Sequence, residues 1–188
     1  LEDYGKPGNY VARQVSRWSK QYRASETDNI EAMNNLIEWL PKNIPDDDET
    51  TIVHGDYRLD NMILRNNEVI GILDWELSTL GHPIADFSYH CLSWRTQEAF
   101  WDEAKLKELG IPSEKEYMEM YCKYSGKDLS KNWEFYMAFN MFKIAGILQG
   151  ILGRVRDGTA ASKHAEERGN MVFPLSQAAW ETIENNFL

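Results

Sequence analysis

His54-Gly55-Asp56-Tyr57-Arg58-Leu59-Asp60-Asn61 is followed, after the span 62–73, by Asp74-Trp75-Glu76. An aspartate, an asparagine five positions later and a second aspartate just past an apolar strand make up the set that phosphoryl transfer requires. One carboxylate orients an attacking hydroxyl; an amide and another carboxylate hold Mg²⁺. Between them lie Met62-Ile63-Leu64 and Val69-Ile70-Gly71-Ile72-Leu73, two β-rich runs joined by Arg65-Asn66-Asn67-Glu68, which has turn composition. The spacing predicts a hairpin whose first strand leaves Asn61 and whose second delivers Asp74, so that the two meet. Thr51-Ile52-Val53 reads as a short strand leading into His54.

Each residue of this stretch has a role that its chemistry suits. Asp56 is the candidate for orienting the acceptor hydroxyl and accepting its proton. Asn61 offers a neutral oxygen and Asp74 an anionic one, a combination suited to Mg²⁺, with Glu76 as a further ligand, direct or through water. Either Asn61 or Asp74 alone reads as a turn or capping residue; both at this spacing after Asp56 point to function. Arg58 is placed to offset charge on a transferred phosphate, the alternative being an ion pair with Asp60 or Glu76. His54 is assigned a supporting hydrogen bond rather than base chemistry. Asp86, in Pro83-Ile84-Ala85-Asp86-Phe87-Ser88, sits in an apolar helix where a carboxylate is costly unless paired. It is expected to accept backbone N–H groups of the catalytic loop, or else to stabilise its own helix N-terminus.

Around this centre the pattern is helical. After the glycine- and proline-punctuated opening, Leu1 to Asn9, the residues Val11, Val15, Trp18 and Tyr22 recur at helical spacing. Thr27 and Asp28 are expected to cap a second helix carrying Ile30, Met33, Ile37 and Leu40, which Pro41 stops. The acidic run Pro45-Asp46-Asp47-Asp48-Glu49 reads as a solvated turn, since contiguous acids diverge. Helices are expected over Pro83 to Trp94, Ser113 to Tyr124 with Gly126 as its stop, and Ser130 to Val155. In the last, Gly146, Gly150 and Gly153 suggest close helix packing, because no strand precedes them as a phosphate loop would need. Asp157-Gly158 ends it, and Ala161, Ala165 and Met171, then Leu175, Ala179, Trp180 and Ile183, mark one or two closing helices. The Trp residues fit a thick core or an aromatic wall for an acceptor.

Composition sets limits. The 188 residues, 43% hydrophobic, suit one domain or one large lobe. With Lys+Arg 20 against Asp+Glu 30 and a net charge of -10, a broad nucleic-acid surface is not expected. Cys91 and Cys122, without Cys-x-x-Cys spacing or a secretory leader, suggest an intracellular chain with free thiols; cytoplasm, mitochondrion and peroxisome are not distinguished. The longest apolar tract, Met137 to Gly153, is interrupted by Asn140, Lys143 and Gln149. It reads as a buried helix rather than a membrane span.

His54-Gly55-Asp56 with Asn61, then Ile72-Leu73-Asp74-Trp75-Glu76, then Gly81 to Tyr89, resembles the aminoglycoside phosphotransferase and choline kinase family. The wording His-Gly-Asp-Tyr-Arg-Leu-Asp-Asn, with Asp-Trp-Glu-Leu-Ser and Gly-His-Pro after it, is most similar to the kinase-like domains fused to acyl-CoA dehydrogenases in acyl-CoA dehydrogenase family members ten and eleven. The resemblance implies a mainly α fold with a small β-hairpin, the C-terminal helical lobe of a protein-kinase-like architecture, filling 1–188. It implies a transferase, a small-molecule kinase using ATP and Mg²⁺ to phosphorylate a hydroxyl, in the dehydrogenase-linked branch that of a hydroxyacyl-CoA, with covalent fusion to an acyl-CoA dehydrogenase domain. The family's N-terminal β lobe, with its Gly-rich loop and ATP-pairing Lys, has no counterpart here, so the chain is expected to be a portion of a longer enzyme that binds ATP poorly alone. For a CoA thioester, Arg13, Arg17, Lys20 and Arg23 offer a basic patch, or simply a solvated helix face. Two other readings stand beside this one. A non-catalytic kinase-like module fits the missing lobe but not the retention of Asp56, Asn61 and Asp74. A metallohydrolase built from His54, Asp56, Asp74, His82, Asp86 and His90 conflicts with the packing that the helix of Asp86 and His90 must serve.

Overall fold

The computed structural model describes residues 4–47, 49–96, 103–160 and 164–188; the expectations for Leu1, Asp48 and Ala161 lie outside them. The described chain is mainly helical: α1 (Tyr10–Ser25), α2 (Glu31–Trp39), α3 (Pro83–Cys91), α4 (Ser93–Thr96), α5 (Glu103–Glu108), α6 (Glu114–Ser125), α7 (Trp133–Arg156), α8 (Ala165–Gly169) and α9 (Val172–Phe187). Its strands are β1 (Thr51–Val53), β2 (Met62–Arg65), β3 (Glu68–Ile72) and β4 (Thr79–Gly81), paired antiparallel as β1 with β4 and β2 with β3.

The hairpin forms as its sequence dictates. Asn66 and Asn67 both take positive φ (51° and 63°), the backbone of a tight primed turn, which asparagine tolerates better than most residues. Met62 then faces Ile72, and the Leu73 N–H donates to the Asn61 carbonyl at 2.8 Å, which closes the ribbon at the end where Asn61 and Asp74 emerge. β4 has no sequence signal of its own. Three residues long, it exists because β1 supplies its partner, with Thr51 opposite Gly81 and Val53 opposite Thr79.

The core centres on α7, which packs against α1, α3, α8 and α9. Phe135, Phe139 and Phe142 are buried along it, each stabilising the fold by about 1.5–3 kcal/mol. By length and composition α7 could cross a membrane, but 67% of its most apolar stretch is buried within the protein. Its polar interruptions are tie points. Asn140 Nδ2 donates to the Ala85 carbonyl and Ser88 Oγ of α3 (2.9 and 2.8 Å), and Lys143 Nζ to the Gly55 carbonyl (3.0 Å). Gln149 Nε2 donates to the Ser25 carbonyl and Thr27 Oγ1 (2.6 and 3.1 Å). The glycine stripe does bring α1 close: a Cβ on Gly153 would lie 3.1 Å from Ser25 Cβ, and one on Gly146 3.6 Å from Trp18 Cβ.

Several boundaries differ from expectation. Thr27 and Asp28 do not cap α2, which starts at Glu31 with Ile30 preceding it; the Thr27 hydroxyl is committed to Gln149 instead. The segment Pro83 to Trp94 is two helices, because the chain turns at Leu92 before α4 begins. The short α5 was not foreseen. In the acidic loop Asp47 lies 3.5 Å from His82 Nε2 and Glu49 pairs with Lys127 at 2.5 Å, so these two carboxylates have partners rather than water alone. The boundaries of α6 match, since Ser113 and Glu116 form a reciprocal capping box and Gly126 ends the helix at φ 72°.

Candidate active site

The loop from His54 to Asn61 leaves β1 and re-enters the hairpin at β2, so both of its ends are fixed by sheet pairing. Its first turn is held by Asp86. The His54 and Gly55 N–H groups donate to Asp86 Oδ2 and Oδ1 at 2.7 and 2.9 Å, two charge-assisted bonds from one carboxylate. Asp86 therefore serves the loop more than its own helix, as its sequence context suggested. An Asp86→Ala variant leaves two donors without an acceptor, at roughly 1–3 kcal/mol each. Thermal denaturation of Asp86→Ala and Asp86→Asn should show a clear fall in melting temperature for the first and a smaller one for the second.

His54 links this turn to the strand that carries Asp74. Its Nε2 donates to the Leu73 carbonyl at 2.7 Å while its Nδ1 accepts the Asp56 N–H at 3.3 Å, so the ring is held as the Nε2–H tautomer. That is support, with both nitrogens occupied. Trp75 stacks obliquely on the same ring at 4.8 Å between centroids. Gly55, at φ 85°, has a further reason to be glycine, because a Cβ there would lie 2.6 Å from the Leu77 carbonyl. The residues on either side of Asp74 are thus pressed against the loop, and Asp74 itself, exposed, is turned out in the left-handed region (φ 63°, ψ 55°).

Asp56 is held on both oxygens. Oδ2 accepts from Asn61 Nδ2 at 3.0 Å, and the same amide nitrogen donates to the Asp56 carbonyl at 2.9 Å; Oδ1 accepts from the Tyr89 hydroxyl at 2.8 Å. Arg58 is exposed and paired with Asp60, the alternative foreseen for it, yet its charge also acts on Asp56 and Tyr89. The hydrogen bond that it donates to Asp60 is the main reason its pKa is raised. Glu76 lies in the turn Trp75–Leu77, exposed, with no ion pair to the loop among the described residues. Asn61, half-buried, has its nitrogen spent on Asp56, so the amide oxygen is what it can present outward.

The six proposed hydrolase ligands do not assemble. No group of three His, Cys, Asp or Glu able to hold a metal occurs among the described residues. His82 stacks on Tyr136 at 5.0 Å, and His90 lies 3.1 Å from the Tyr117 hydroxyl. Burial lowers the pKa of both rings, which disfavours their charged forms. Of the basic residues on α1, Arg13 donates to the Gly8 and Lys6 carbonyls, Arg23 pairs with Glu26 at 3.2 Å, and Arg17 lies over Trp18.

Sequence reasoning missed Tyr89 and Lys143, both beside Asp56. A signal for each existed. Tyr89 falls three residues after Asp86, on the same helical face, and Lys143 is a charge inside the most apolar helix of the chain.

Residues 1–121 match the phosphotransferase enzyme family (APH). Acyl-CoA dehydrogenase family member 10 of Mus musculus is 45% identical over 188 residues, covering 96% of this chain and 18% of that protein. Acyl-CoA dehydrogenase family member 11 of Homo sapiens is 40% identical over 194 residues, covering 100% of this chain and 25% of its own length. The chain therefore spans about a fifth to a quarter of these curated relatives. A crystal structure from Ralstonia eutropha, designated an aminoglycoside phosphotransferase, superposes with a TM-score of 0.91 at 50% identity, over 98% of this chain and 58% of that one.

Proposed function

The chain belongs to the phosphotransferase enzyme family, and from that premise we propose that it is the catalytic portion of a small-molecule kinase that moves the γ-phosphate of ATP to an alcohol. The observation that carries the reading is the state of Asp56, a carboxylate with each oxygen held by a single donor. A remaining lone pair on either oxygen can take the proton of a hydroxyl placed in line with the phosphate. Asn61 and Asp74 suit a magnesium site, because the Asn61 nitrogen is already engaged and Asp74 stands exposed on a clamped backbone, which leaves hard oxygens to coordinate. Glu76, two residues further, would complete the set directly or through water. Bound there, Mg²⁺ would neutralise charge on the ATP phosphates. The Arg58 guanidinium, exposed near Asp56, would face the transferred group.

For the acceptor we favour the hydroxyl of a hydroxyacyl-CoA. Support comes from the relatives, which are named acyl-CoA dehydrogenase family members and match this chain over a fifth to a quarter of their length, and the protein carrying this chain is proposed to be fused to such a dehydrogenase domain or to act beside one. On α1, Arg17 and Lys20 are exposed cations with no carboxylate partner among the described residues, whereas Arg13 and Arg23 are committed locally.

The test is transfer itself. The full-length protein, with Mg-ATP, is offered hydroxyacyl-CoAs differing in hydroxyl position, the matching free hydroxy acids, and an aminoglycoside, and products are read by mass spectrometry. A phosphate gained only by the thioesters is the expected result. Phosphorylation of the aminoglycoside alone would overturn the acceptor but keep the kinase. Mg-ATP binding without transfer to any alcohol would favour the non-catalytic module.

A further inference from the structure

Two side chains beside Asp56 have no role in the metal and phosphate contacts proposed above: Tyr89 on α3, half-buried, and Lys143 on α7, buried. The Tyr89 hydroxyl donates to Asp56 Oδ1 at 2.8 Å, leaving Oδ2 to Asn61. Lys143 Nζ donates to the Gly55 carbonyl at 3.0 Å and stands 4.5 Å from the centroid of the Tyr89 ring. It reaches both the backbone of the residue before Asp56 and the ring that holds the Asp56 carboxylate.

The placement is built rather than incidental. Asn140, three residues before Lys143, ties the same face of α7 to the Ala85 carbonyl and Ser88 Oγ, which sets the height of Lys143 above α3. Lys143 is only 9% exposed, and an ammonium is costly to bury unless compensated. Burial lowers its pKa, and the Asp86 and Asp56 charges, which favour the protonated form, offset that only in part, with Arg17 acting against them. The Tyr89 hydroxyl, half-buried beside Asp56, has its pKa raised and remains a donor. A hydrophobic residue in place of Lys143 would pack on α7 at lower desolvation cost, so packing alone does not explain a lysine there.

We propose that Lys143 and Tyr89 are positioning residues for Asp56: Lys143 fixes the Gly55 carbonyl and the Tyr89 ring, and Tyr89 fixes the carboxylate in the one rotation that meets the acceptor hydroxyl. This rests on the phosphotransfer reading above. A carboxylate free to rotate would spend most of its time out of line with the nucleophile, a loss that falls on the transition state rather than on substrate binding.

The test uses the full-length protein and its Tyr89→Phe, Lys143→Met and doubly substituted variants. Each single change should lower kcat about 10- to 100-fold with KM for ATP and acceptor unchanged, and the double variant should be no worse than Lys143→Met, because both act through one carboxylate. A second readout does not need turnover. In protein labelled with ¹³C at aspartate side chains, the Asp56 Cγ resonance should move in both single variants. Unchanged kcat in Tyr89→Phe would overturn the proposal, as would a Lys143→Met variant whose melting temperature falls while kcat and the Asp56 resonance hold. If the unmodified protein phosphorylates no alcohol, the kinase reading fails, and the resonance still decides the bracket: movement in Lys143→Met upholds it, constancy overturns it.

Discussion

An Asp56→Asn variant of the full-length protein is expected to lose about 10²–10⁴-fold in kcat, the range a positioned general base supplies. Mg-ATP affinity should be unchanged, because Asp56 is bonded to Asn61 and Tyr89 and has no assigned role in holding the nucleotide. The asparagine can keep both contacts. Its oxygen accepts from Asn61, its nitrogen donates to the Tyr89 hydroxyl, and that hydroxyl turns round to accept, so the loop retains its shape and melting temperature. What disappears is the negative charge and the lone pair that would receive the hydroxyl proton. Single-turnover phosphoryl transfer, measured beside equilibrium binding of Mg-ATP, separates the two effects. Turnover within tenfold of the unmodified protein would remove Asp56 from its role.

The parts of this fold that sequence made readable are those fixed by local chemistry. Asn66-Asn67 can turn a hairpin without help, Ser113 with Glu116 closes a helix start on itself, and Gly126 ends that helix by its own freedom at positive φ. The meeting of Asp56 with Asn61, and of Asn61 with the strand end that precedes Asp74, was legible for the same reason, since a short loop and a short hairpin leave few ways to arrange them. What escaped notice depends on partners distant in sequence. β4 is three residues long and has meaning only when β1 lies alongside it. Thr27 resembles a helix cap until Gln149, on α7, reaches across to take its hydroxyl. Lys143 looked like a flaw in an apolar tract, yet a charge in such a helix demands a buried acceptor, and the acceptor proved to be the backbone just before Asp56. A polar residue at a core position is therefore best read as a question about which distant group it must satisfy.

Asp74→Ala should act differently from Asp56→Asn, weakening Mg-ATP binding and turnover together. Groups that merely orient a metal ligand typically account for about 10- to 100-fold in metal affinity or activity, so loss of a carboxylate that itself binds the metal should cost at least the upper end of that range. The fold should not suffer. Asp74 is exposed, and the contacts that seat its segment belong to its neighbours: the Leu73 carbonyl on His54, the Trp75 ring on His54, and the Leu77 carbonyl over Gly55. Alanine at φ 63° is less favourable than aspartate by roughly 1 kcal/mol, too little to unfold the lobe. An Asp74→Asn variant separates charge from backbone preference, because asparagine accepts the left-handed conformation and keeps one oxygen ligand. Its binding defect should be the smaller of the two and should shrink as Mg²⁺ is raised. Titrating Mg²⁺ at fixed ATP reads this directly, and a saturating activity equal to that of the unmodified protein at ordinary Mg²⁺ in Asp74→Ala would place the metal elsewhere.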